Sequence, residues 1–523
     1  MADQPLIPPL EMERPIRTDV ILEDDEILAD FNEEAPFVEQ DITVEVEPEL
    51  DEEGNTIVGF GEEIPEPLSD DFFRNLSEEI DQRELRSLAA DMLGMYQADR
   101  ESRSDWERTY SEGLDLLGMD TDERSEPFQG ASGVYHPLLS EAVAQFQSSA
   151  YKELLPSGGP VGTRVVGRKT PERQEQANRV KEFMNYQITE VMQEYDPELD
   201  QMLFYLPLSG SAFKKIYYDE TLNRAVAKFI TSEDLVVPYE TTDLLSATRI
   251  THMVRMNTND VRKLQQSGFY RDIELIASPE DESAVTEKVD ELEGVRPTQY
   301  MTSDTMTILE CHIDLDLPGF EDVGDDGEPT GIQLPYIVTM EEGCSQILSI
   351  RRNWEETDSL KNKKQYFVHY KFLPGLGFYG FGLIHMIGGL SKSATSLLRQ
   401  LIDAGTLANL PAGFKARGLR VRNEDDPLQP GEWRDVDAPG GTLRDSLLPL
   451  PYKEPSATLL NLLGVLIESG RRFAAITEMQ TGDMTEAMPV GTTVALLEKG
   501  MQVMSAIHKR LHYSQKIEFR LLA

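Results

Sequence analysis

The chain has 523 residues, of which 40% are hydrophobic, enough for roughly two to four domains with sizeable cores. Its 94 acidic and 49 basic residues leave a net charge of −45, which argues against a protein that grips nucleic-acid phosphates over a broad surface. No run approaches the roughly 18 to 20 apolar residues of a membrane helix, and the two cysteines, Cys311 and Cys344, are too few for a disulfide framework or a zinc site.

The opening "MADQPLIPPLEMERP" has neither the charged-then-apolar pattern of a signal peptide nor the Arg-rich pattern of a transit peptide. A protein made inside a cell and kept reduced is the expectation. Residues 1–80 carry 26 acidic residues against three arginines, a net of −23. Such a segment repels itself and buries little, so a disordered arm is expected over 1–65. It reads either as a solvated tail or as a docking arm for a basic partner.

Order is expected from near Ser69. Leu85, Leu88, Ala89, Met92, Leu93 and Tyr96 keep helical spacing along one face, and Trp106, Tyr110, Leu114 and Leu117 repeat the pattern. "HPLLSEAVAQFQSSAYKELLP" is a third helix, with Pro137 in its first turn and Leu139, Val143, Phe146 and Ala150 on one side. A fourth runs from 171 to about 192. Then the period changes. "SAFKKIYYDETLNRAVAKFI" reads as a β-hairpin turning at 219–223, and "LVVPY" and "RITHMVRM" as further strands. Thr258 is a plausible N-cap for a short helix. "TMTILECHIDLDL", "IQLPYIVTM" and "CSQILSIRR" complete an antiparallel group, so that the body is α+β.

After "PGLGFYGFG" the pattern is helical again, with Leu390, Ala394, Leu397, Leu398, Leu401 and Ala408 in a stripe that ends near Asn409. Residues 410–455 interrupt it with a Gly- and Pro-dense stretch of short strand-like pieces, and a second helix follows over 456–478. Each helix spans roughly 30 Å, so the pair reads as a stalk with a tip. In the second, Leu459, Leu460, Leu462, Leu463, Val465, Leu466 and Ile467 leave almost no polar face. Such a helix must be covered on all sides, which neighbouring copies in a ring could do. The loop "ITEMQTGDMTEAMPVGTT" comes next, then a helix from Thr492 to the last residue.

The motifs of common enzymes are missing. There is no GxxxxGK[ST], and Gly380 and Gly382 follow no βαβ unit, so a tight turn is expected there rather than a dinucleotide site. "GASGV" around Ser132 lacks the spacing of a nucleophile elbow, and Gly324 spoils a calcium loop at "GDDGEPTG". His312, Asp314 and Asp316 would share one face of a strand; a solvated face is expected there over a metal triad. The expectation is a protein that is not an enzyme and needs no cofactor. A nuclease or protease with an unrecognised site and an acidic scaffold or adaptor are the competing classes.

Five phrases, in order, carry a resemblance: "GASGVYHPLLSEAVAQFQSSAYKELLP", "GSAFKKIYYD", "RITHMVRMNTNDVRKLQQSGFY", "PGLGFYGFGLIHMIGGL" and "GEWRDVDAPGGTLRDSLLPLPYKEPS". With the acidic start, the α+β body and the interrupted helix pair, they resemble the portal proteins of short-tailed bacteriophages, the head-to-tail connectors, from about Ser69 onward. The resemblance implies a wing over 66–387, a stem of 388–409 and 456–478, a clip over 410–455, a tunnel loop over 479–491 and the start of a crown helix over 492–523. It implies a closed ring, usually dodecameric, at one vertex of a capsid made in the host cytoplasm. Double-stranded DNA would pass through the ring during packaging and ejection. Terminase, a tail adaptor and the major capsid or scaffolding protein would be partners, and no membrane is involved. The sequence stops inside a helical pattern that relatives continue into a crown.

The resemblance also assigns residues. Met479, Gln480, Thr481, Gly482, Asp483, Met484, Thr485, Glu486 and Met488 would face the channel, where adaptable uncharged side chains and two carboxylates let DNA slide. A plain surface loop is the other reading. Leu397, Leu401, Leu459, Leu463, Leu466 and Ile467 would form the ring interface of the stem. Arg417, Arg420, Arg422, Trp433 and Arg434 in the clip are of types enriched at interface hot spots, and either meet partners or pack against the neighbouring copy.

Overall fold

In the computed structural model, a three-stranded and a five-stranded β-sheet meet face to face; a layer of helices covers the outer side of the first and a single long helix that of the second, an α+β arrangement. The structure describes residues 72–409 apart from 120–125, 127, 129, 166, 220–221, 276–282, 296–304 and 325–327, then 453–473 and 490–523, together with short strands at 41–42, 49–50, 56–57, 413–415, 420–421, 436–437 and 447–449. Three of those strands, β1 (Asp41–Ile42), β2 (Glu49–Leu50) and β3 (Thr56–Ile57), fall in the stretch expected to be disordered, the rest of which lies outside the described residues.

Helix α1 (Gln82–Ser102) starts where the Asp81 carboxylate accepts the Arg83 amide, and buries Leu85, Ala89, Met92 and Tyr96 as the periodicity requires. In α2 (Ser104–Leu114), Trp106 stacks on Tyr110 and on Tyr379 with ring centroids 5.6 and 4.8 Å apart. Helix α3 (Leu138–Leu154) buries Leu139, Val143, Phe146 and Ala150, but Pro137 sits at the cap position ahead of it rather than in its first turn. Strand β4 (Gly162–Thr163) leads to α4 (Pro171–Tyr186), capped by Thr170 and prolonged by a π-turn over Gln187–Val191. Helix α5 (Tyr195–Ser209) was not expected: its second half, 202–209, is apolar nearly all round and holds Pro207, features that mask a helical period. It is buried between α3 and the sheet, which explains both.

The hairpin forms as read, from β5 (Ser211–Asp219) and β6 (Arg224–Ile230); β12 (Phe367–Lys371), which the sequence reading did not assign, pairs on the other edge of β5. The second sheet runs β11-β10-β9-β8-β7, from β7 (Leu235–Val236), β8 (Arg249–Asn257), β9 (Thr305–Leu315), β10 (Leu334–Glu341) and β11 (Gln346–Arg352), antiparallel throughout. Helix α6 (Thr258–Gln266) begins at Thr258 itself; Asn257, not Thr258, holds the cap position. Helix α7 (Ala284–Glu293), capped by Ser283, completes the body.

Alternation along β5 sends its two lysines to opposite faces. Lys214 points into the helical layer, while Lys215 crosses to the second sheet and meets Glu310 of β9 at 2.6 Å. His312 lies on that same inner face, 1% exposed, with its Nε2 2.7 Å from Glu310 and its ring 5.0 Å from Phe367. The face carrying His312 is therefore interior, not solvated. Asp316 falls beyond the end of β9, and among the described residues no group of three His, Cys, Asp or Glu side chains is suited to a metal ion. No helix among the described residues is long and apolar enough to cross a membrane.

Candidate assembly site

A long helix, α8 (Leu383–Asn409), leaves the body at a crossing of three backbones. Gly210 has φ 84°, and a Cβ there would stand 2.4 Å from the Gly380 carbonyl oxygen; one on Gly382 would stand 2.3 Å from that of Leu208. Only glycine allows chains this close. Gly380 and Gly382 thus serve a backbone junction, as the absence of a βαβ unit suggested.

The first half of α8 belongs to the core: Leu383, Ile384, Ile387 and Ala394 are buried. Its second half emerges, and residues 132–136 lash it down. The Ser132 amide donates to Asp403 at 2.7 Å and the His136 amide to Thr395 Oγ1 at 3.1 Å. Arg399 donates to the carbonyls of Val134 and Gly133 at 2.9 and 3.1 Å and lies 4.3 Å from the centre of the Tyr135 ring. Ser132 in "GASGV" therefore serves as part of a brace, using its backbone. This brace escaped the sequence reading; Arg399 and Asp403, two charges four apart in an apolar stripe, were its only trace.

The chain leaving α8 returns beside itself, since β13 (Gly413–Lys415) pairs antiparallel with β16 (Leu447–Pro449), and β14 (Arg420–Val421) with β15 (Val436–Asp437). Helix α9 (Ala457–Phe473) then packs along α8. At its far end Gly470 lies so close to α3 that a Cβ would stand 2.5 Å from Leu138 Cδ2, and Arg471 reaches Glu141 at 3.4 Å.

Within one chain, α9 is covered on one side. Leu463 is 6% exposed; Leu459, Leu466 and Ile467 are half-buried, as are Leu397 and Leu401 on α8. Leu460 and Val465 are each 59% exposed and Leu462 46%. At about 100° per residue, Leu460 falls on one flank of the Leu463 line and Leu462 with Val465 on the other. Two separate apolar flanks face water.

The last helix, α10 (Val490–Leu522), is anchored through its second half. Lys214 and Glu518 pair at 2.9 Å with both side chains fully buried, Tyr370 donates its hydroxyl to the same carboxylate, and the Lys214 ammonium lies 4.0 Å from the centre of the Tyr195 ring. Burial first, then the Glu518 charge, pushes the Tyr370 phenol well above its usual range. Toward solvent, Glu153 of α3 accepts from His508 at 2.9 Å and His512 at 3.4 Å, which hold its carboxyl well below the usual range. The lysine pair "KK" on an apolar strand signals that each face of β5 needs an anionic partner, without saying which residue supplies it.

Residues Met479, Gln480, Thr481, Gly482, Asp483, Met484, Thr485, Glu486 and Met488 lie outside the described residues, as do Arg417, Arg422, Trp433, Arg434 and the side chain of Arg420. No protein-family model matches the chain, and no curated protein matches it.

Proposed function

We propose that the chain is the protomer of a portal-type ring, a channel through which double-stranded DNA enters and leaves a capsid. The observation that carries this reading is α9, whose apolar residues face water on two opposed flanks once α8 covers the third side. A head-to-tail ring gives every copy one neighbour on each side, and that is the symmetry two unlike flanks call for. The order of parts supports it: an α+β wing, a helix down, a small paired tip, a helix up, a loop and a long helix, in the sequence of the portal resemblance.

In this reading α8 and α9 are the stem, 410–455 the clip and 479–491 the tunnel loop. Motor activity comes from a separate terminase, which docks on the clip before a tail adaptor replaces it. The ring sits at one vertex of the virion. Negative-stain microscopy of the purified protein is the test. Rings with a central hole are expected; monomers, or oligomers without a hole, would reject a channel.

A further inference from the structure

Residues 162–181 stand out in an acidic chain: six basic residues (Arg164, Arg168, Lys169, Arg173, Arg179, Lys181) against Glu172 and Glu175 give a net of +4. Arg168, Lys169, Arg179 and Lys181 are exposed, and so, one turn on, are Phe183 and Tyr186 at 61% and 56%. The strand that opens this segment is held in place. Thr163 Oγ1 donates to the Ala177 carbonyl at 2.7 Å, and the Asn185 side chain bonds both the amide and the carbonyl of Val161, at 2.9 and 3.1 Å. A short strand fixed on a basic helix is a ready template for strand addition. The occupant is visible: β1 pairs with β4 in parallel, Asp41 opposite Gly162 and Ile42 opposite Thr163, beside α10. Around β1, residues 39–53 hold eight carboxylates and no basic residue.

We propose that the acidic N-terminal arm docks on the β4–α4 segment of its own chain, pairing its backbone with β4 and its charge with the α4 cations. So placed, the arm occupies a cationic, aromatic-bearing stretch through which this chain would otherwise hold a polyanion. This goes beyond the ring reading and does not depend on it. The arm is tethered, so its effective concentration at β4 is high and weak ionic contacts suffice. Those contacts are exposed and fade with salt.

Hydrogen exchange on the full chain tests the docking. Amides of residues 39–46 are expected to exchange at least tenfold more slowly in 50 mM than in 500 mM salt, and to lose that protection in Arg168→Glu/Lys169→Glu/Arg179→Glu. Equal exchange in wild type and triple variant would overturn the proposal. A second readout uses a labelled 20-base-pair duplex in 50 mM salt. Converting the eight carboxylates of 39–53 to amides in the full chain is expected to tighten duplex binding at least tenfold, and the triple variant to reverse it. Unchanged binding would mean that the arm shields nothing. An Ile42→Cys/Thr163→Cys pair is expected to oxidise within one chain; a ladder of linked chains would overturn the same-chain assignment.

Discussion

His252 on β8, a half-buried side chain, makes one contribution to the pH response. Burial, reinforced by the nearby Lys215 ammonium, pushes its imidazole down to about 3. Unfolded, it titrates near pH 6.5. Below that value the unfolded chain takes up a proton that the folded chain refuses, so stability is present above about 6.5 and falls as the pH drops toward 3. The loss at this one site is about 2 kcal/mol between pH 7 and 5. His252→Leu should flatten the decline of the urea midpoint over that interval, and an unaltered slope would remove the assignment. Lys214 and Glu518 make a different case, an ion pair whose two side chains are both fully buried. Lys214→Met strands a buried carboxylate and should cost about 3–5 kcal/mol in chemical denaturation, much of it recovered when Glu518→Gln is added. A single variant as stable as wild type would show that the pair is not buried. The sequence offered both lysines on one strand, but not their partners, because partners 95 and 304 residues away are chosen by tertiary packing.

Among the elements, α9 separates apolar residues that are covered within the chain from those left exposed. Leu463→Asp puts an unpaired charge against α8 and should destabilise the protomer by several kcal/mol. Leu460→Asp changes a wet flank, so it should leave the thermal melt within about 1 kcal/mol of wild type while abolishing rings by light scattering. Rings that persist in Leu460→Asp would end the stem assignment. Elements with a clean period were legible from sequence: α1, α3, the β5–β6 hairpin, and β9 through β11 alternate or repeat as their burial demands. Helix α5 and strand β12 were not. The first is buried all round in its second half and interrupted by Pro207, and the second is five residues long, "FVHYK", too short for its alternation to stand out. The two helices of the stalk were legible as apolar, and the uncovered flanks of α9 follow from that, but the brace from 132–136 depends on backbone amides that sequence does not display.

For the whole molecule, residues 474–489 join two helices that are each fixed elsewhere, by Gly470 against Leu138 and by Glu518 against Lys214. If the chain is the proposed portal protomer, deleting residues 480–488 should therefore leave rings intact by microscopy and shorten the packaged genome; wild-type genome length would mean that this segment has no role in the proposed channel. The two wet flanks of α9 have a further consequence when set beside the net charge of −45. In the proposed ring, copies that attract on contact would also repel at a distance, over a Debye length of about 10 Å at 0.1 M salt and roughly 3 Å at 1 M. That combination is a colloid's: a barrier to encounter in front of a deep contact minimum. Free subunits are then long-lived in dilute buffer, and dissolved cations set the pace at which they find one another, so the lag before oligomers scatter light shortens as salt is raised.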